Sequence, residues 1–272
     1  MGCSSRPADG EAARQRGSSS DARSKSGIIW HVNEEIPLEG GAIAEVVRLG
    51  DTVRRSTGPW TPEVHALLRH LEAVGCDLAP RVLGIDERDR EILTYLPGTT
   101  ISPDHLDLLE FDETLVRAGE FVAKLHAALP RHADETVSLH GDLGPWNVIV
   151  DGDRWFAIDW DSTHRGTPRW EVAYCLMTFC NLWHDRALSP EEAVRRMRRF
   201  AAGYGLTDGE LAATMGLVGD RCQEVARFLR QRASEGVAGF VRLLAEGHDA
   251  AWRRNAEHAT AQLPAWLDAL AP

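Results

Sequence analysis

Four oxygen-bearing side chains, Asp142, Asn147, Asp159 and Asp161, lie among apolar residues in LHGDLGPWNVIVDGDRWFAIDWD, residues 139–161. Carboxylates beside apolar runs are costly to bury unless a cation, a reacting proton or an ion-pair partner meets them. Gly141 and Gly144-Pro145 forbid a regular helix or strand, so Asp142 and Asn147 sit on a loop just before the strand VIV. A turn at Asp151–Asp153 returns the chain as WFAID, and a hairpin of that length brings Asn147 and Asp159 to the same end of the ladder. One amide oxygen and one carboxylate, with a second carboxylate close by, form an oxygen set suited to Mg²⁺. That ion keeps waters and takes one or two carboxylates together with substrate phosphates. Singly, each residue has an ordinary explanation: Asp142 capping its own loop, Asn147 in a turn, Asp159 in a strand-end salt bridge. The order His-Gly-Asp-x₄-Asn, apolar hairpin, Ile-Asp is much harder to obtain by chance.

The elements that must position these groups fall into two unequal parts. Residues 1–27 are rich in Ser, Gly, Arg and Ala without periodicity, the composition of a disordered tail. From Ile28 to Leu96 the short β-prone runs IIWHV, IAEVVRLG, TVRR, RVLGID and EILTYL alternate with turns. One helix interrupts them, with Thr61 as N-cap, Pro62 at its first position, and Val64, Leu67, Leu68 and Leu71 at helical spacing. The run ETLVRAGEFVAKLHAAL places Leu115, Val122, Leu125 and Leu129 on one helix face. After the hairpin the chain reads as helical, with capping signals at Ser189–Glu192 and Thr207–Glu210 and long segments over 191–204, 208–234 and 236–256. The expected fold class is α+β: a β-rich lobe over 28–96, a larger, mainly helical lobe over 97–272, and LTYLPG (93–98) crossing between them.

Composition narrows the function. Asp plus Glu outnumber Lys plus Arg by 41 to 30, a formal charge of −11, which disfavours nucleic acid and anionic membranes and tolerates a cationic small molecule. The same charge also serves plain solubility. Five cysteines without a Cys-x-x-Cys pair imply reduced thiols in a cytoplasm, not a disulfide framework or a zinc site. No apolar run approaches the roughly 18 residues of a membrane span. A cytoplasmic monomer or homodimer is expected.

His140-Gly141-Asp142-Leu143-Gly144-Pro145-Trp146-Asn147 followed by Ile158-Asp159-Trp160-Asp161 resembles the hallmark of the aminoglycoside phosphotransferase and choline kinase family. That resemblance implies a two-lobed protein-kinase-like fold and a role for each residue. Asp142 would orient the acceptor hydroxyl and take its proton, while Asn147 and Asp159 would hold Mg²⁺ against the phosphates of ATP or GTP. His140 would brace the loop. Asp161 is left open as a further ligand or a substrate contact.

The family's small lobe carries a cation on its third strand, normally Lys, yet Lys25 and Lys124 are the only lysines here. The part falls to Arg54 or Arg55. Strand alternation pairs Val53 with Arg55, so Arg54 points inward if Val53 packs outward, and Arg54 is the expected phosphate ligand. The partner acid expected on the helix has its slot near Val64, with Glu63 one position off. Gly40-Gly41 would cover the phosphates, and Thr94, Tyr95 and Leu96 would meet adenine. Gly141 and the short span from Trp160 to Pro168 favour a small-molecule kinase over a protein kinase. Arg169-Trp170-Glu171-Val172-Ala173 resembles the family's next helix start, with Glu171 in place of Asp and a structural role. For the acceptor, Asp161, Asp185, Asp220 and Glu224 are candidate acidic contacts for an aminoglycoside. Trp160, Trp170 and Trp183 are a candidate aromatic wall for a choline-like amine. The alternative reading is a nucleotide-binding module without turnover.

Overall fold

A computed structural model describes residues 34–38, 46–101 and 103–271. The proposed tail, the run IIWHV and Gly40-Gly41 lie outside these residues. Five short strands build one antiparallel sheet: β1 (Ile36–Pro37), β2 (Val46–Leu49), β3 (Thr52–Ser56), β4 (Val82–Ile85) and β5 (Arg90–Thr94), in the order β1-β2-β3-β5-β4. The β3·β5 register sets Val53 against Leu93 and Arg55 against Glu91. Helix α1 (Thr61–Ala73) buries Val64, Leu67, Leu68 and Leu71. The helix starts one residue earlier than expected, because Thr61 does not serve as its cap: the Thr61 hydroxyl accepts from the Gly58 N–H at 2.8 Å and Trp60 takes the N-cap place.

The chain then enters the larger, helical part. Its helices are α2 (Asp112–Ala128), α3 (Pro168–Phe179), α4 (Pro190–Tyr204), α5 (Asp208–Ser234), α6 (Ala238–Ala245) and α7 (His248–Leu270). The core runs through α3, buried continuously from Glu171 to Phe179, as a helix packed on all sides must be. Helix α5 begins with a complete capping box between Thr207 and Glu210. Helix α4 has half of one, since Ser189 accepts from the Glu192 N–H while the Glu192 carboxylate turns to Arg195. The segment expected as one helix over 236–256 is two. Gly247, at φ +83°, starts α7 from the left-handed region and breaks the run.

Two small sheets carry the chemistry-bearing stretch. The first joins β6 (Thr99–Thr100), β8 (Val148–Asp151) and β9 (Arg154–Ala157), and the second pairs β7 (Val137–Leu139) with β10 (His164–Gly166). Cys175, Cys180 and Cys222 are buried and unpaired, and burial pushes the thiols of Cys180 and Cys222 up to about 12. Among the described residues no helix is long and apolar enough to cross a membrane.

Candidate active site

Strand β7 ends at Leu139, and the loop that follows is held mainly through its backbone. The buried His140 ring donates from Nε2 to the Ile158 carbonyl at 2.9 Å and accepts the Asp142 N–H at Nδ1, 3.3 Å away. Those two bonds fix its tautomer. Gly141 has φ +85°, and a Cβ there would lie 2.1 Å from the Ser162 carbonyl oxygen, so no other residue fits. Its N–H donates to Glu171 Oε1 at 2.5 Å, and its carbonyl accepts from Arg221 Nη2 at 2.6 Å. Glu171 also receives His126 Nε2 at 2.9 Å, and Tyr204 Oη lies 2.8 Å from His126 Nδ1. Burial alone would raise the pKa of Glu171, but His126 and the Gly141 N–H outweigh it and hold the carboxyl at about 2. Glu171 is therefore a charged anchor under the loop, contributed by the first turn of α3.

The half-buried Asp142 carboxylate is oriented by three donors. The Tyr174 hydroxyl bonds Oδ1, while Asn147 Nδ2 reaches Oδ2 at 2.9 Å and Trp146 Nε1 approaches the same oxygen at 3.5 Å. Burial pushes the pKa of Asp142 above the usual carboxylate range, although the Tyr174 bond pulls the other way. Tyr174 was not singled out from the sequence. The available signal was its spacing: it stands three residues after Glu171 on α3, which puts both on one helix face.

Register brings the expected metal ligands to the same end of the hairpin. Val148 faces Ala157, and the Ile158 N–H closes the ladder on the Asn147 carbonyl at 2.9 Å. Asn147 and Asp159 thus emerge together. Asp159 has φ +61°, a left-handed conformation costing a non-glycine residue about 1–3 kcal/mol, and such outliers cluster at functional sites. The donors of Asn147 are spent on Asp142, so its Oδ1 is left without a partner among the described residues; so is Asp159 Oδ2. One amide and one carboxylate oxygen suit a hard divalent cation. No group of three His, Cys, Asp or Glu among the described residues is placed to hold a metal ion, so phosphate and water would have to complete such a shell.

The arginine that faces this hairpin is Arg55, not Arg54. Val53 packs against the core and Arg55 shares its face, so the inward side is theirs. Arg54 lies on the other side, donating to Thr52 Oγ1 at 2.6 Å and standing 3.6 Å from Asp86. Arg55 is buried and meets three carboxylates: Glu91 through Nε, Asp159 through Nη1 at 3.0 Å, and Asp161 through Nη2. Burial would lower its pKa, but Asp159, Asp161 and Glu91 outweigh it and raise it. Asp161 is pushed up to about 6 by burial, with Asp159 and Glu91 adding to the push against the pull of Arg55.

The acid beside the arginine is on the sheet and not on the helix. Glu63 is exposed and Val64 is core, while His65 faces inward and bonds Glu91 Oε2 at 2.9 Å. At the crossing, the N–H groups of Thr94 and Tyr95 are taken by the carbonyls of Arg81 and Asp51, and Arg48 covers the Tyr95 ring at 3.8 Å. The Leu96 N–H has no partner among the described residues.

Beside Asp142 the aromatic side chains gather differently from the expected wall. Trp183 stacks with Trp146 at 6.4 Å and meets Trp252 edge-on at 5.5 Å; Trp252 stacks on Tyr174 at 5.5 Å. Trp160 is core packed 4.5 Å from the His140 ring, and Trp170 donates to Glu224 at 2.7 Å. Of the expected acids, Asp161 pairs with Arg55, Glu224 pairs with Arg221, and Asp185 and Asp220 are exposed. A separate groove of about 500 Å³ on α4, lined by Arg195, Arg198 and Arg199, contains no residue of this site. Its arginines are paired with Asp112, Glu192 and Asp208.

Residues 127–209, which include the loop, the hairpin and α3, match the phosphotransferase enzyme family APH. The chain is 30% identical over 202 residues to the trifolitoxin immunity protein of Rhizobium leguminosarum bv. trifolii, covering 65% of this chain and 76% of that protein. Its fold is similar to that of a choline/ethanolamine kinase family protein from Mesorhizobium loti, with TM-score 0.57 and 18% identity over 88% of this chain and 92% of that one. An amicoumacin kinase in complex with AMP-PNP, Ca²⁺ and Ami aligns with TM-score 0.56 and 12% identity, covering 78% of this chain and 88% of its own. The chain belongs to the APH phosphotransferase family and has the two-lobed protein-kinase-like fold.

Proposed function

We propose that this protein transfers the γ-phosphate of ATP, with GTP as the alternative donor, to a hydroxyl of a cationic small molecule. One observation carries the reading: Asp142, held by Tyr174 and Asn147, stands at the hairpin end from which Asp159 also emerges. Asp142 would align the acceptor hydroxyl and receive its proton, and its raised affinity for a proton suits that task. The free oxygens of Asn147 and Asp159 would hold Mg²⁺, which neutralises charge on the phosphates during transfer. The two terminal nitrogens of Arg55 would reach the donor's phosphates bidentately. The Leu96 N–H is the donor left for adenine at the crossing.

Trp146, Trp183 and Trp252 supply aromatic faces next to Asp142, which supports an amino alcohol or a compact aminoglycoside as acceptor. Mg²⁺-dependent ADP release, measured across aminoglycosides, choline, ethanolamine and simple sugars, tests this directly. Acceptor-stimulated release from the native protein that disappears in Asp142→Ala is the expected result; equal turnover by the variant would overturn the mechanism. The Arg55–Asp159 pair favours a second reading, a nucleotide-binding module without turnover, because it commits the other oxygen of the carboxylate that would hold the metal. That reading expects Mg·ATP binding with no ADP release for any acceptor.

A further inference from the structure

We infer that Glu91 and His65 are positioning residues for the phosphate-binding arginine, Arg55. The inference rests on the reading above, in which Arg55 meets nucleotide phosphate.

A guanidinium has donors on two sides, the Nε edge and the terminal pair. A further acid at the tip of Arg55 would add to the competition that Asp159 and Asp161 already offer phosphate at the terminal nitrogens. Glu91 does not approach from the tip. It lies directly opposite Arg55 across the β3·β5 ladder and takes Nε, leaving Nη1 and Nη2 aimed at the hairpin, on Asp159 and Asp161. Directly opposed residues hold their Cβ atoms about 5 Å apart, so the ladder itself sets this contact. A lysine has one nitrogen at its tip and nothing corresponding to Nε, so a lateral acid would draw it away from the cleft. With Arg in the strand, the acid belongs beside it on the sheet.

Glu91 must then be kept from rotating. Its side chain is 1% exposed, and an unsatisfied carboxylate oxygen so deep is expensive. His65 supplies the second bond, with Nε2 on Oε2 at 2.9 Å. Both oxygens are thus engaged, one from the neighbouring strand and one from α1. The helix contributes a histidine that steadies the acid in place of an acid of its own. Glu63, the acidic residue nearest that slot in sequence, faces solvent.

The test measures Mg·ATP dissociation constants and steady-state constants for His65→Leu, His65→Gln, Arg55→Met and His65→Leu/Arg55→Met. His65→Leu should weaken nucleotide binding about tenfold, the scale of one hydrogen bond to a charged group, and leave the acceptor KM unchanged. His65→Gln retains a donor and should recover most of that loss. In the Arg55→Met background, His65→Leu should cost no further affinity, since the group it positions is gone. Equal costs in both backgrounds, or a loss shared by nucleotide and acceptor constants, would overturn the inference while the proposed function stands. Failure of the native protein to bind nucleotide would remove the proposed function and this inference together.

Discussion

The loop around Asp142 and the cluster around Arg55 solve the burial of charge in opposite ways. Under the loop, three side chains from different helices hold fixed contacts: Glu171 from α3, His126 from α2 and Arg221 from α5. That set holds backbone atoms, and both oxygens of its carboxylate are engaged without any ligand. At Arg55 one cation answers three carboxylates, and Asp161 is left pushed up to about 6. A phosphate would compete with Asp159 and Asp161 for the same two nitrogens. The difference separates a part built to keep one geometry from a part built to exchange partners, and it predicts that damage to the two will be felt in different constants.

The largest expected effect is on chemistry. Asp142→Ala should lower kcat by at least about 10²- to 10⁴-fold, the usual contribution of a positioned base, in a single-turnover assay. Next is stability. Glu171 has its carboxyl lowered in the fold, so its contribution is complete above its unfolded pKa near 4.5 and is lost as pH falls toward about 2. That interval corresponds to about 3 kcal/mol. Urea titrations of Glu171→Gln should therefore show a deficit of that order at pH 7 that closes in acid, and an unchanged deficit at pH 2.5 would contradict the anchor. Tyr174→Phe removes one donor from Asp142 and should reduce kcat by about tenfold, with the nucleotide KM unmoved. The smallest effect belongs to Trp183→Ala, where loss of one aromatic face should raise the acceptor KM by roughly three- to tenfold for a cationic acceptor. An equal effect on an uncharged acceptor would argue against the aromatic wall.

These two regions were unequally legible in the sequence. The loop and hairpin are local: their glycines, proline and apolar alternation force the turn and the register that bring Asn147 and Asp159 together. The fold class followed from the same periodicities. The Arg55 cluster is nonlocal, and a single wrong premise inverted it. Taking Val53 as outward gave Arg54 the cleft, whereas the apolar residue of an amphipathic strand packs inward and carries Arg55 with it. Glu91 and His65 could not be found without the β3·β5 pairing, which no local spacing encodes. Trp146 and Trp252 were missed for the same reason, being 106 positions apart in the chain and joined through Trp183. Tyr174 alone had a local clue, its i+3 relation to Glu171.

The most direct test of this division of labour is the Mg·AMP-PNP dissociation constant of Asp142→Ala beside that of Arg55→Met, by titration calorimetry. The account predicts native-like affinity in Asp142→Ala and a loss of at least about tenfold in Arg55→Met, the scale of a charge-assisted bond to phosphate. Native-like affinity in Arg55→Met, or a comparable loss in both variants, would contradict it.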